Sequence, residues 1–492
     1  MDSAFHKMKR LVYLAGGCVV LAACTCVRAD ALSDEAEQLK TTYAADLEQL
    51  ADWCGKQGLV EQARQTRLAL GPHDPYKLYL PVLPREVGPT KLPRDASEEV
   101  VEWNARFNKL RREHAGKSFD LARRAVRHRP SLAYVLALRA IHANPDNESV
   151  RRLFGYQKYH NQWHTFYEVR QLRAGKVRHE EFGWIPTLHV RRYEQGQRYY
   201  QGRWVSAEED ARLHAEIRSG WIIETEHYAI RTNHSIEAAV QLSAKLERLY
   251  HIWSQIFVRY YASEADVVAL FDGRTRIRRA QPVRFRVAYF RDRDDYNRSL
   301  RAAMPNIGIS VGVYIEQTRT AYFFAGEGYA DRTLYHEATH QLFHQSRRVA
   351  PYVGRKANFW IVEGIAMYME SLREENGHYV LGGFDDARMH AARVRLLRDD
   401  FHVPLAELTT YGMEKLQTDE RIGTLYSEAA GLTSFLVYYD GGRYRDALVA
   451  YLSTVYDGRD MPDTLALLTG TAYSELDRQY RKFMEESVAA SR

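Results

Sequence analysis

The residues whose types and spacing could do chemistry lie in the segment Tyr335-His336-Glu337-Ala338-Thr339-His340-Gln341. No proline or glycine interrupts the chain from Asp331 to Arg347, so a helix is predicted there. Positions four apart share one helix face, and both imidazoles can reach one metal ion. Glu337 follows the first histidine, where its carboxylate meets the water a metal would activate rather than the metal itself. A hydrolytic zinc site needs three protein ligands and one position left for water. Glu363, 23 residues beyond His340, sits in the apolar run Phe359-Trp360-Ile361-Val362-Glu363-Gly364-Ile365-Ala366-Met367-Tyr368. A carboxylate in such company is costly to bury unless a cation balances it. The expected centre is therefore one Zn2+ held by His336, His340 and Glu363, with Glu337 as general base.

His344 extends the series 336, 340, 344. Eight residues of helix carry it about 12 Å along the axis and about 80° around it from His336. It is expected outside the ligand set. A three-histidine centre would need a glycine turn before its last histidine, and no glycine occurs between 338 and 353.

The stretch from His336 to Glu370 resembles the gluzincin metallopeptidases, and among them the aminopeptidase N-like and peptidase-MA-like families. Those carry a His-Glu-x-x-His-Gln helix followed by a Trp-x-x-Glu-Gly-x-Ala helix. Both occur here, as His336-Glu337-Ala338-Thr339-His340-Gln341 and Trp360-Ile361-Val362-Glu363-Gly364-Ile365-Ala366. The resemblance is strong over these two helices, looser over 280–480, and does not reach the N-terminal half. It implies a thermolysin/gluzincin-like catalytic domain and hydrolysis of peptide bonds. It also implies a tyrosine on a later helix that stabilises the tetrahedral oxyanion. Tyr426, 63 residues after Glu363 at the start of an apolar helix, has a suitable location, and an ordinary core tyrosine is the competing reading. The aminopeptidases carry Gly-x-Met-Glu-Asn upstream, whose glutamate grips the substrate amine. The corresponding Ala321–Gly328 lacks it, and Glu327 is not expected to be a remnant of it, so endopeptidase activity is expected over exopeptidase activity. Thermolysin-like enzymes place Asn before the ligand glutamate and Asp four residues after it. Val362 and Met367 stand there in this chain, so support for the ligands must come from elsewhere.

The elements that position these residues follow from composition and periodicity. With 492 residues, 45% hydrophobic and 27% charged, two or three globular domains are expected in an α+β, mostly helical chain. Helical patterning from Asp34 to about 142, interrupted by a proline-rich connector (Pro75 to Pro93), gives an α-helical N-terminal region over 30–150. Two short hairpins with aromatics around polar turns, near 155–163 and 199–205, suggest a small linking module over 151–220. Strands near 221–230, 283–290, 309–315 and 319–325, and then helices throughout, place the catalytic domain at 221–490. The strand near Thr320–Ala325 is expected to pair with an extended substrate.

Residues 1–29 read as an export signal: Lys7-Met8-Lys9-Arg10, then an apolar stretch to Cys24, too short for a comfortable span. Two endings compete. Leu21-Ala22-Ala23-Cys24 resembles a lipobox with a lipid anchor at Cys24, and small residues around Ala29 suit ordinary cleavage and release. The expected location is periplasmic or extracellular. Four basic residues against one acidic put half of the formal charge of +6 ahead of residue 30. No dense Lys/Arg stripe remains, which argues against nucleic acid; a peptide or protein partner is what the metallopeptidase resemblance implies. Cys54 is the one cysteine outside residues 1–29, so no internal disulfide is expected in the body of the chain and the composition argues against a thiolate metal site. The alternative to an enzyme is a helical scaffold or binding protein with a structural or degenerate zinc site.

Overall fold

The structure, a computed structural model, describes residues 31–88, 92–274, 284–326 and 331–490. The N-terminal segment expected to be an export signal, with Cys24, lies outside these residues, as does Glu327. Helix takes 57% of the chain and strand 14%, so the fold is α+β and mostly helical, as composition and periodicity suggest. Among the described residues no helix is long and apolar enough to cross a membrane. The described chain forms two compact units. One holds the residues before 73, those of 83–163 and those of 263–274; the other holds 73–82, 164–262 and the described residues after 283.

The first unit is built on helices α1 (31–56), α2 (Val60–Leu68), α3 (Glu98–Ala125) and α4 (Pro130–Ala143). Ser97 caps α3 by accepting from the Val100 N–H, and Pro130 opens α4, where its missing N–H costs nothing. Leu47, Leu50, Ala51, Cys54, Trp103 and Phe107 share one core, so Cys54 is the small buried residue its pattern suggests. The Trp103 indole donates to Thr66 Oγ1 at 2.9 Å, which satisfies both groups inside that core.

The second unit contains strand β1 (Lys77–Pro81), which comes from the proline-rich connector. Three hairpins follow at a period of about 20 residues: β2–β3 (Tyr156–Tyr159, Gln162–Thr165), β4–β5 (Lys176–His179, Gly183–Pro186) and β6–β7 (Gln197–Tyr200, Arg203–Ser206). Each is preceded by a glycine of positive φ (Gly155, Gly175, Gly196) and leads into a short helix. Each also carries a tryptophan on its second strand: Trp163, Trp184 and Trp204. The sequence reading found the outer two and missed the middle one, where Gly183-Trp184-Ile185-Pro186 hides the strand behind a glycine and a proline. The compact division falls inside the first hairpin, between Trp163 and His164, and leaves 164–220 in the same unit as the candidate catalytic region.

The main sheet has five strands. In chain order these are β8 (Trp221–Glu224), β9 (Tyr228–Thr232), β10 (Phe285–Phe290), β11 (Val313–Ile315) and β12 (Thr320–Phe324). Their spatial order is β11-β12-β10-β9-β8, with β10 parallel to both neighbours and the outer pairs antiparallel. Helix α5 (Ile236–Ile256), capped by Ser235, follows β9. β12 is paired with β10 along its whole length and with β11 over Thr320–Tyr322 alone, so Phe323 and Phe324 have no strand partner on the β11 side. The sheet's two edge strands are β11 and β8, and the expected substrate strand Thr320–Ala325 lies next to the first of them. After residue 330 the chain is not wholly helical: β13 (Arg373–Glu375) and β14 (His378–Gly382) form a hairpin, and β14 pairs with β1. Asn376 and Gly377 make its turn with φ of 47° and 75°, a left-handed pair that Asn-Gly adopts readily.

Candidate metal centre

Helix α6 (Asp331–Gln345) carries His336 and His340. Its opposite face buries Leu334, Ala338, Leu342 and Phe343, and Gln341 Nε2 donates to the Arg286 carbonyl of β10 at 2.9 Å. The helix is thereby fixed in rotation against the sheet, with both imidazoles turned the other way. Helix α7 (Phe359–Met369) carries Glu363, and all of its residues are buried. Its start is set by Asn358, whose left-handed backbone (φ 56°) turns the chain. The Asn358 amide donates to Asp460 Oδ2 at 2.8 Å and accepts from the Tyr451 phenol.

Gly364 explains how α7 sits. A Cβ at this position would lie 2.4 Å from Thr433 Oγ1 and 2.8 Å from the Ala429 carbonyl oxygen. Only glycine lets α7 approach helix α9 (Ile422–Gly442) this closely, and α8 (Ala387–Leu397) packs against the same helix.

The three expected ligands meet. His336 Nε2 is 3.1 Å from His340 Nε2 and 3.4 Å from Glu363 Oε2, and His340 Nε2 is 3.9 Å from Glu363 Oε1. This group could hold a metal ion. With the two imidazoles hydrogen-bonded to each other, one proton serves both. Burial opposes charge on His336, but the Glu363 and Glu370 carboxylates outweigh it and raise its pKa; burial and the neighbouring His336 lower that of His340. Burial opposes ionisation of Glu363 too, and the two histidines overcome it, which holds its carboxyl below the usual range. The group is thus a buried carboxylate against two imidazoles whose nitrogens converge on one point.

Glu337 lies beside this group without joining it. Its Oε2 accepts the backbone N–H of Tyr314, on edge strand β11, at 2.9 Å. Burial first, and then the Glu363 and Glu370 carboxylates, push Glu337 up to about 7 against the pull of His336. A carboxyl poised near neutrality can both take and return a proton. Tyr426, in the first turns of α9, is half-buried and bonded to Gln417; burial first and then the charges of Glu363 and Glu337 raise its pKa. His344 stands apart from the ligands, its Nδ1 2.9 Å from the Tyr314 phenol and its Nε2 3.6 Å from Glu316.

Sequence reasoning missed the residues that orient His336. Its Nδ1 is 2.9 Å from Glu370 Oε1, which fixes the ring so that Nε2 faces Glu363 and His340. Glu370 is 6% exposed and is held by Arg388 at 3.0 and 3.1 Å and by Arg332 at 3.4 Å; Arg332 also meets Asp386 at 3.0 Å. Burial raises the Glu370 pKa, but His336 and Arg388 outweigh it and bring it down to about 2. The signal was present: Glu370 lies seven residues past Glu363, two helical turns on, at the end of the same apolar run. No protein-family model matches the chain, and no curated protein sequence matches it.

Proposed function

We propose that the chain is a zinc metallopeptidase of the gluzincin kind, acting as an endopeptidase through a gluzincin-like domain. One observation carries this reading: two imidazole nitrogens and a carboxylate from consecutive helices stand 3.1–3.9 Å apart, with a second, unligated carboxylate beside them. Ligand atoms about 2.1 Å from one tetrahedral ion stand roughly 3.4 Å from each other, so the donor set and its spacing suit Zn2+. Three protein ligands leave one place for solvent, which is the composition of a hydrolytic rather than a structural centre. Bound there, zinc supplies Lewis-acid activation of a water and of the scissile carbonyl. Glu337 takes the proton of the attacking water and passes it to the leaving amine. Tyr426 donates its phenolic hydrogen bond to the oxygen that gains charge. The Tyr314 carbonyl, on the open side of edge strand β11, accepts from the backbone of an extended substrate, while the Tyr314 N–H stays with Glu337. The N-terminal segment supports export, and with it peptide or protein substrates outside the cytoplasm.

The test is a broad peptide-library digest by the purified protein, with and without chelator. Cleavage that the chelator abolishes and Zn2+ restores is the expected result. The Glu337→Gln protein should keep one zinc per chain and lose cleavage. Undiminished cleavage by that variant removes Glu337 from the mechanism. Intact zinc-loaded protein that cleaves nothing in the library overturns the enzyme reading.

A further inference from the structure

Tyr314 is gripped twice by the helix that carries the histidines. Its backbone N–H goes to Glu337 Oε2 at 2.9 Å. Its phenol takes a hydrogen bond from Gln345 Nε2 at 3.0 Å and lies 2.9 Å from His344 Nδ1. Because Gln345 donates to the phenol, the phenolic proton is left for His344. Burial, the largest influence on His344, keeps its ring in the neutral form that can accept it. Gln345 Nε2 also donates to the Arg319 carbonyl at 3.0 Å, in the turn between β11 and β12.

The spacing on α6 makes these contacts one device. Glu337 and His344 are seven residues apart, so they project within about 20° of each other and about 10 Å apart along the axis. One rigid helix thus sets the distance between the two grips. β11 is only three residues long and pairs on one side, too short a strand to fix its own register firmly. In an antiparallel strand the N–H and C=O of one residue point to the same side. The Tyr314 carbonyl is therefore directed to the open edge as well, next to Glu337. A phenylalanine would fill the same space; two polar partners on one phenol indicate that its direction matters.

We propose that Tyr314, His344 and Gln345 are positioning residues that hold edge strand β11 and the Glu337 carboxylate in one frame, so that a peptide lying along β11 meets the general base in register. The inference rests on the peptidase reading, with the general base and substrate strand as its two parts.

The experiment compares Tyr314→Phe, His344→Leu, their double variant and His344→Gln with the wild-type chain. Zinc content, melting temperature, amide hydrogen exchange over 313–315, and kcat and KM on one cleaved library peptide are measured for each. Tyr314→Phe should keep its zinc, exchange faster over 313–315, and lose roughly ten- to a hundredfold in kcat/KM, mostly in kcat, as expected for a misplaced catalytic group. His344→Leu should match it, the double variant should be no worse than the worse single one, and His344→Gln, whose amide oxygen again accepts from the phenol, should recover most of the rate. Tyr314→Phe with kcat within twofold of wild type and unchanged exchange overturns the proposal, as do single losses that multiply in the double variant. Wild-type protein inactive on every peptide sinks the peptidase reading instead, and the exchange arm still decides whether the phenol fixes the strand.

Discussion

Replacing Glu370 by Gln separates one carboxylate charge from the shape that surrounds it. Glu370 Oε1 meets His336 Nδ1 at 2.9 Å and Arg388 at 3.1 Å; Oε2 meets Arg388 at 3.0 Å and Arg332 at 3.4 Å. Only the first contact bears on metal binding. A hydrogen bond to a charged group contributes about 1.5–3 kcal/mol and one between neutral groups about 0.5–1.5 kcal/mol, so the amide should weaken the hold on His336 by about 1–1.5 kcal/mol. That is near a tenfold loss of zinc affinity, each factor of ten being about 1.4 kcal/mol. Glu370→Ala removes the acceptor altogether and should approach a hundredfold, the upper end of about 10–100-fold for such partners. The cost to the fold stays small for Gln. Arg388 loses its carboxylate but has a side chain 40% exposed to water, and Arg332 keeps Asp386 at 3.0 Å. Competition for Zn2+ against a chelator of known affinity, with melting of the metal-free proteins alongside, separates the two effects. A Glu370→Gln protein that binds zinc within twofold of wild type, at an unchanged melting temperature, would refute the claim that this carboxylate orients the ligand.

Three further outcomes follow from the geometry. Tyr426→Phe should retain zinc and lose roughly a hundredfold in kcat, the usual effect of deleting one oxyanion donor; an unchanged kcat makes it a core tyrosine. Gly364→Ala places a methyl group 2.4 Å from Thr433 Oγ1 and 2.8 Å from a backbone oxygen, and should destabilise by about 1–3 kcal/mol in thermal melts. His402 is clasped by Glu428 at 2.6 Å and Asp477 at 3.2 Å; burial opposes its charge, but the two carboxylates outweigh it and lift its pKa to about 9. Burial pushes Glu428 up despite that pairing, so the gain is smaller than the His402 shift alone implies. A folded value above the unfolded 6.5 gives stability in full below pH 6.5 that is lost as pH rises through about 9. The melting temperature should fall across that window, and His402→Gln should flatten the fall.

The two imidazoles and Glu363 were legible because their signals are local. Spacing of four on an uninterrupted helix and a lone carboxylate in an apolar run each state a requirement that only convergence satisfies. Glu370 is equally local, but it stands seven residues past Glu363 and not four, and at the end of an apolar run a lone carboxylate also reads as the point where the helix meets solvent. The β13–β14 hairpin had its Asn376-Gly377 turn in plain view, among residues otherwise patterned as helix. The edge position of β11 was not readable, since strand order depends on partners far apart in sequence. The partnership of β1 with β14 was hidden for the same reason, and by the prolines around it. The bond of His344 to Tyr314 depends on the sheet being in place and is not readable from the sequence.

The pairing of β1 with β14 joins residues about 300 positions apart, Lys77 with Gly382 and Pro81 with His378. A truncated gene starting at 164 or at 221 would still encode the histidines and Glu363, yet it would strip β14 of one neighbour and leave a raw row of amides and carbonyls ready to recruit another molecule. During synthesis the ribosome releases β1 long before its mate exists, so that segment must wait, unpaired, through most of translation. Expression trials should accordingly keep the upstream strand attached, or supply it as a separate peptide.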